Sequence, residues 1–292
     1  MIHKNHDEFV QVLMQTSAQT GFPLLLLEKD YYITLILSEI NMLSEGLIFK
    51  GATCLSKVYY SYYRLSEDID FSFLLPVGKI NRSTRRSLIE PLKKGIHSYA
   101  KQFDMEISKG SGVGHNESTQ YLFNLDYQSV VLDKKQSIKM EVGLRFNPIL
   151  PFQKRAANHK FVHPFTGKPL FECSKIKCFA LKELVAEKMR AAATRRIIAP
   201  RDFYDIGFLI KSGFNFRDKE LHALFKRKLA EDGFDSDARK YRINIGRSDE
   251  EIHDMKSRIE AELLDVLLSE EKNLFNLQNT LKAIDESLKD LE

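Results

Sequence analysis

Residues 64 to 73 read RLSEDIDFSF, and the alternation in this stretch limits what it can become. Successive side chains of a strand point to opposite faces, so Ile69, Phe71 and Phe73 share one face and Asp68, Asp70 and Ser72 the other. The apolar face calls for a core. The other face gathers two carboxylates in a structure where aspartate is depleted and like charges repel, an arrangement that is tolerable where a cation neutralises it.

Upstream, LIFKGATCLSK reads as a short strand, a glycine turn and a helix opened by Thr53. A helix N-terminus offers free N–H groups and the positive end of a dipole, both suited to phosphate oxygens. Gly51 permits close backbone approach, and Thr53 and Ser56 add hydroxyl donors. A phosphate cradle followed by two carboxylates on one face matches metal-assisted phosphoryl chemistry: Mg²⁺ is held by one or two carboxylates plus substrate phosphates, and a pair of ions can clamp attacking and leaving oxygens. The stretch SIKMEVGLRF supplies a third carboxylate. Ile138, Met140, Val142 and Leu144 alternate onto one face; Lys139, Glu141, Gly143 and Arg145 take the other. A lone D-x-D is a weak signal, and Glu141 alone reads as a half-exposed strand residue. The order strand, glycine, helix, acidic strand, strand with glutamate is what carries weight.

Composition narrows the partners. The 292 residues are 43% hydrophobic and 29% charged, with 44 basic against 40 acidic side chains, a mixed balance that permits nucleic-acid contact without demanding it. Cys54, Cys173 and Cys178 make no disulfide framework, and the four residues between the last two, with no second pair, argue against zinc. The polar opening MIHKNHDEFV lacks a signal h-region and GFPLLLLEKDYY is too short to span a bilayer, so a cytoplasmic chain without membrane association is expected.

Residues 5 to 18 and 24 to 44 carry helical spacing. A helix follows residue 81, with Pro91 expected to interrupt it. FDMEISKG and QYLFNLDYQS alternate as strands around the Gly-rich loop GSGVGHNES. After about residue 172 no strand is expected and helices run to the end. The fold class is therefore α+β: a sheet-containing domain over residues 1–172 and an all-α domain over 173–292. The amphipathic tail from Asp249 to Glu292 reads as a helical hairpin on its own domain rather than a partner-binding coil.

In the helical half, positions 181, 184, 185, 188 and 192 share a phase, placing Lys188 in an apolar stripe where it must snorkel or meet a charge, a bound triphosphate being one candidate. Asp202 and Asp205, at i and i+3, share a face; Asp202 also suits a first helical turn behind Pro200. Arg64 either clamps phosphate or pairs with Glu67. Two basic groups, Arg82, Arg85, Arg86, Lys93 and Lys94, then Arg190, Arg195, Arg196 and Arg201, line an RNA path or are solvated faces. Lys226, Arg227 and Lys228 read as solvated.

FKGATCLSKVYYSYYRLSEDIDFSF resembles the opening signature of the AbiEii/AbiGii-type toxins, a branch of the DNA polymerase β-like nucleotidyltransferase superfamily, in which F-K-G-G-T-x-L-S-K precedes R-F-S-E-D-I-D-L. LLEKDYYITLIL is similar to the family's leading helix, and LKELVAEKMRAAATRRIIAPRDFYDI to its E-K-x-x-A…R-D-x-x-D segment. The resemblance implies a polymerase β-like mixed sheet with flanking helices and a helical domain that closes the nucleotide site. It further implies an Mg²⁺- or Mn²⁺-dependent enzyme that moves a nucleoside monophosphate from an NTP to an acceptor, the 3′ end of tRNA, as the toxin of a bacterial toxin–antitoxin or phage-defence pair with a cognate antitoxin. Asp68, Asp70 and Glu141 would hold metal. Lys50, Gly51, Ala52, Thr53, Ser56, Lys57, Arg64 and Ser66 would bind nucleotide, and Lys188 with Asp202 or Asp205 would complete the catalytic set. Gly51-Ala52 departs from the usual glycine pair: if the second position needs φ > 0, alanine would weaken nucleotide binding. A protein or small-molecule acceptor, or a nucleotide-binding module with little catalysis, are the other readings.

Overall fold

The order in which strands enter the sheet decides which side chains can meet in this protein. The computed structural model describes residues 1–241 and 248–291, and these fall into two units, Met1–Phe179 and Ala180–Glu292. The final residue of the expected helical tail, Glu292, lies outside the described residues.

The first unit opens with helices α1 (His6–Thr20), α2 (Leu24–Ser38) and the single turn α3 (Ile40–Leu43). Helix α1 is capped by Asn5, whose Oδ1 accepts from Glu8 N, and ends at Gly21 in the left-handed conformation. Helix α2 is buried almost continuously from Leu27 to Ser38, so its polar side chains need internal partners. Strand β1 (Leu47–Lys50) leads into α4 (Gly51–Cys54), which continues as a π-turn over Leu55–Tyr59; β2 is Ile69–Phe73. Helix α5 (Arg82–Lys101) follows, then β3 (Glu106–Ile107), β4 (Gly114–His115), β5 (Gln120–Gln128), β6 (Lys135–Gly143), β7 (Gln153–Ala156) and β8 (Lys175–Cys178). The sheet order is β3-β5-β6-β2-β1-β8-β7, with β4 beside β5. β2 runs parallel to β6 and β1 parallel to β8; β1–β2, β5–β6 and β7–β8 are antiparallel. This is the mixed sheet with flanking helices that the sequence implies.

Three expectations change. Strand β8 lies beyond residue 172, where only helix was expected: KIKC is four residues long, too short to show alternation, and earns its place by pairing with β1 and β7. Pro91 does not interrupt α5; it and Ser87, whose carbonyl it leaves without a helical donor, are both exposed, so water takes that carbonyl. The Gly-rich loop contains β4, and three of its non-glycine residues, Asn116, Glu117 and Ser118, have positive φ.

The segment from the π-turn to β2 is anchored from below. Lys57 Nζ lies 2.8 Å from Asp30 Oδ1 and donates at 2.8 Å to Thr34 Oγ1, while Tyr62 OH donates to Asp30 Oδ2 at 2.7 Å. Lys57 and Asp30 are each 2% exposed, and Tyr62 holds the left-handed backbone (φ 71) that a bulky residue rarely adopts. Burial pushes the Lys57 ammonium down in pKa, and Asp30 opposes that shift. Nearby, Glu28 is fully buried and accepts from Ser129 Oγ at 2.5 Å and Val130 N at 2.6 Å.

In the second unit, α6 (Leu181–Thr194), α7 (Pro200–Lys211) and α8 (Lys219–Glu231) precede α9 (Asp249–Glu262), α10 (Ser269–Leu274) and α11 (Leu277–Leu288). The tail packs on its own unit, as three helices rather than a hairpin. α11 lies against α7 so closely that a Cβ on Gly207 would stand 2.6 Å from Thr280 Cγ2, whereas Leu274 is 69% exposed. Lys228 is not solvated: it is 4% exposed, 2.8 Å from Glu183 Oε1 and 3.4 Å from Glu187 Oε1.

Removing one member of a buried ion pair strands the other, at a cost of about 3–5 kcal/mol. Lys57→Met and Asp30→Leu should each lower unfolding free energy by about that amount, and the double substitution should lose clearly less than their sum. Urea unfolding of the three variants checks this.

Candidate active site

The acidic stretch sits in the middle of the sheet, and register explains why. Lys50 on β1 is paired with Asp70 on β2, Asp70 with Glu141 on β6, and Glu141 with Leu122 on β5. Directly opposed residues share a face, so Lys50, Asp70 and Glu141 form one row across three adjacent strands. One residue along, Phe49, Phe71, Val142 and Tyr121 form the row facing the core, each at most 2% exposed, with the rings of Phe49 and Phe71 5.5 Å apart. The alternation read from RLSEDIDFSF and SIKMEVGLRF thus places Asp70 and Glu141 together. Only Ile69–Phe73 is strand, however, and Asp68 lies one residue ahead of it.

Gly51 is pressed against this row. Its φ is +78, and a Cβ there would stand 2.3 Å from Asp70 Oδ2. Two independent constraints therefore demand glycine: a left-handed backbone and contact with a carboxylate. Ala52 is not among the residues with positive φ, so the residue that needs left-handed freedom is the glycine that is present, and the alanine introduces no strain of that kind. The helix also starts earlier than expected, at Gly51 with Lys50 as N-cap, leaving Thr53 inside its first turn.

Burial raises the Asp70 carboxyl to a pKa of about 6; neighbouring Lys50 opposes the shift, while Glu141 and Asp68 add to it. Lys139, on the same face of β6 and two residues before Glu141, pairs with Asp68, Nζ to Oδ2 3.0 Å, and Thr53 Oγ1 donates to the Asp68 carbonyl. Among the described residues no group of three or more His, Cys, Asp and Glu side chains is gathered closely enough to hold a metal ion. Asp70 and Glu141 are neighbours in register, whereas Asp68 is turned to a lysine.

The remaining candidates divide. Ser56 Oγ donates to the Arg64 carbonyl at 2.5 Å and is buried. Lys57 is buried in the Asp30 network. Arg64, 1% exposed, donates through NH1 to the Leu65 carbonyl at 2.8 Å. All three side chains are buried within the loop's interior. Ser66 is half-buried two residues ahead of Asp68. Glu67, on the same loop, is 3.3 Å from Lys29 Nζ.

In the helical unit Lys188 is neutralised by the next helix. Its Nζ is 2.9 Å from Asp202 Oδ1 and 2.7 Å from Asp205 Oδ2, and Arg195 Nε is 3.0 Å from Asp202 Oδ2 at an angle that makes an ion pair without a hydrogen bond. Asp202 and Asp205 are 2% and 0% exposed. Of the two outcomes open to a lysine in this stripe, snorkelling or meeting a charge, Lys188 meets a charge, that of both aspartates. Arg190 pairs with Asp232 and Arg201 donates to the Glu262 carbonyl, so much of this basic cluster has internal partners. Sequence reasoning missed Asp30, Tyr62 and Glu28. Their only signal is polar residues within an otherwise apolar helix and a tyrosine-rich turn.

The sheet is thus mixed and carries a glycine against a central row of carboxylates. The family model described as "Nucleotidyl transferase AbiEii toxin, Type IV TA system" matches residues 36–289, and the chain belongs to that family. Among solved structures, it is similar to MenT4, the nucleotidyltransferase toxin Rv2826c from Mycobacterium tuberculosis H37Rv (16% identity, 92% of this chain and 93% of that one, TM-score 0.55). It is also similar to JHP933 from Helicobacter pylori (16% identity, 92% of each chain, TM-score 0.52). At that identity the likeness concerns the fold. No curated protein matches the sequence. Among the described residues no helix is long and apolar enough to cross a membrane.

A folded-state pKa of about 6 against an ordinary 3.8 means the native state binds this proton more tightly than the unfolded chain, so Asp70 costs stability as pH rises through about 6. Asp70→Asn should melt above the wild type at neutral pH and converge with it towards about pH 4. Gly51→Ala should be destabilising by about 1–3 kcal/mol through its backbone alone, and its crystal structure should show the Asp70 carboxylate displaced.

Proposed function

We propose that this protein transfers a nucleoside monophosphate from an NTP to an acceptor, with release of pyrophosphate, as the toxin of a bacterial toxin–antitoxin pair. The observation that carries the reading is the Lys50–Asp70–Glu141 row with Gly51 against Asp70. Membership of a family of nucleotidyltransferase toxins supports the reaction class, and that family's toxin–antitoxin description supports a cognate antitoxin.

The donors in and beside the row are all carboxylate oxygens, which suit a hard divalent cation, Mg²⁺ or Mn²⁺. The raised Asp70 carboxyl beside Glu141 and Asp68 fits such an ion, because a cation removes the cost of keeping these groups charged. Asp70 and Glu141, neighbours in register, would hold it together with the substrate's phosphates, Asp68 would join them on leaving Lys139, and the ion would supply charge neutralisation at the phosphates. Glu141, half-buried at the row's end, accepts the proton of the attacking hydroxyl. The backbone at Gly51, with Lys50 beside it, orients the phosphates. The acceptor is the 3′ end of tRNA, in a cytoplasmic setting. On α5, Arg82 and Arg86 are exposed and available to a phosphate backbone.

Purified protein incubated with each labelled NTP, Mg²⁺ and total cellular RNA should label a tRNA-sized band. Label on protein or on a small molecule instead would reassign the acceptor, and nucleotide binding without pyrophosphate release would reduce the protein to a binding module. Asp68→Ala and Asp70→Ala should abolish transfer without unfolding. Glu141→Gln should retain NTP binding and lower the single-turnover rate by about 10²–10⁴-fold.

A further inference from the structure

The ion pair between Lys139 and Asp68 stands in the way of the reaction just proposed. Asp68 would be a metal ligand, yet its Oδ2 lies 3.0 Å from the Lys139 ammonium. The two side chains are 43% and 46% exposed, a setting in which an ion pair contributes about 0–1 kcal/mol and is readily exchanged. A divalent ion against Asp68 repels an ammonium at the same oxygen. Once displaced, Lys139 stays beside the row, because it shares a face of β6 with Glu141 two residues on, and β6 is held between β2 and β5 along the shared register.

Lys50 already stands opposite Asp70 in the row, and three other cations with a motif claim on phosphate are held by internal partners. Lys57 is enclosed by Asp30, Thr34 and Tyr62, Arg64 is buried against the Leu65 carbonyl, and Lys188 lies between Asp202 and Asp205. Lys139 differs in being half-exposed, on the row's own face and in a weak, replaceable pair.

We propose that Lys139 is an exchanging cation: it holds Asp68 while the carboxylates lack metal, and on metal binding it swings from Asp68 to a non-bridging oxygen of the bound triphosphate. The compact ammonium on its flexible stem suits both partners. The device keeps the acidic row neutralised in either state. This inference rests on the nucleotidyltransferase reading and adds a nucleotide-positioning residue that lies outside the recognised motifs.

Calorimetric titration of the wild type, Lys139→Gln and Lys139→Arg, first with Mn²⁺ alone and then with a non-hydrolysable NTP in saturating Mg²⁺, gives two affinities expected to move in opposite directions. Lys139→Gln should bind Mn²⁺ up to about fivefold more tightly, the equivalent of losing a surface ion pair at Asp68. The same variant should bind the NTP about tenfold or more weakly, as loss of a charged hydrogen bond does. Lys139→Arg should recover part of the NTP affinity. Unchanged affinities, or a parallel fall in both with a lowered Tm, would overturn the exchange and leave Lys139 a structural partner of Asp68. A wild type that binds neither Mn²⁺ nor NTP would instead overturn the nucleotidyltransferase reading beneath it.

Discussion

The pairing of β2 between an antiparallel β1 and a parallel β6 is the constraint on which the candidate site depends. It sets Lys50, Asp70 and Glu141 in one row and Phe49, Phe71 and Val142 in the next. A slip of one residue on β2 would exchange its faces, placing a carboxylate among the core aromatics and a phenyl ring in the polar row. The cost of burying an unpaired charge, measured against the gain from burying a phenyl ring, makes such a slip prohibitive. The same hydrophobic pattern that folds the sheet therefore aims the acidic groups.

Around that row the protein manages charge by pairing it at different depths. Asp30 with Lys57, Glu183 with Lys228, and Lys188 with two aspartates are buried pairs, costly to break and suited to fixing geometry. The Asp68–Lys139 pair is half-exposed and cheap to exchange. Lys50 remains beside Asp70, whose carboxyl stays high because burial outweighs that neighbour. Rigid pairs hold the frame while the loose one lies beside the carboxylate row.

The network under the loop gives several residues with a strong motif signal buried partners within the protein. Ser56, Lys57 and Arg64 belong to the stretch that resembles the family signature, and all three hold the path from α4 to β2. Their place in a motif reflects the chain path needed to deliver Asp68 and Asp70, with Tyr62 in a left-handed conformation that the Asp30 hydrogen bond supports. A sequence motif records both contacts to ligand and the scaffold beneath them, and spacing does not separate the two.

What the sequence determined by itself is local and periodic. The alternation of β2 and β6 identified the faces of Asp70 and Glu141, the glycine after β1 marked a turn open to close backbone approach, and the spacing of α2, α6 and α7 indicated helices, because such patterns follow from backbone geometry within a few residues. The tertiary structure alone decided that β8 joins the sheet, that Gly51 and not Ala52 takes the left-handed position, and that Lys188 meets Asp202 and Asp205. It alone also turned Lys57 inward to Asp30 and set Lys139 against Asp68. Each of these depends on a partner distant in sequence, and a charged side chain's partner is chosen by what the fold brings within a few ångströms, which no periodicity encodes.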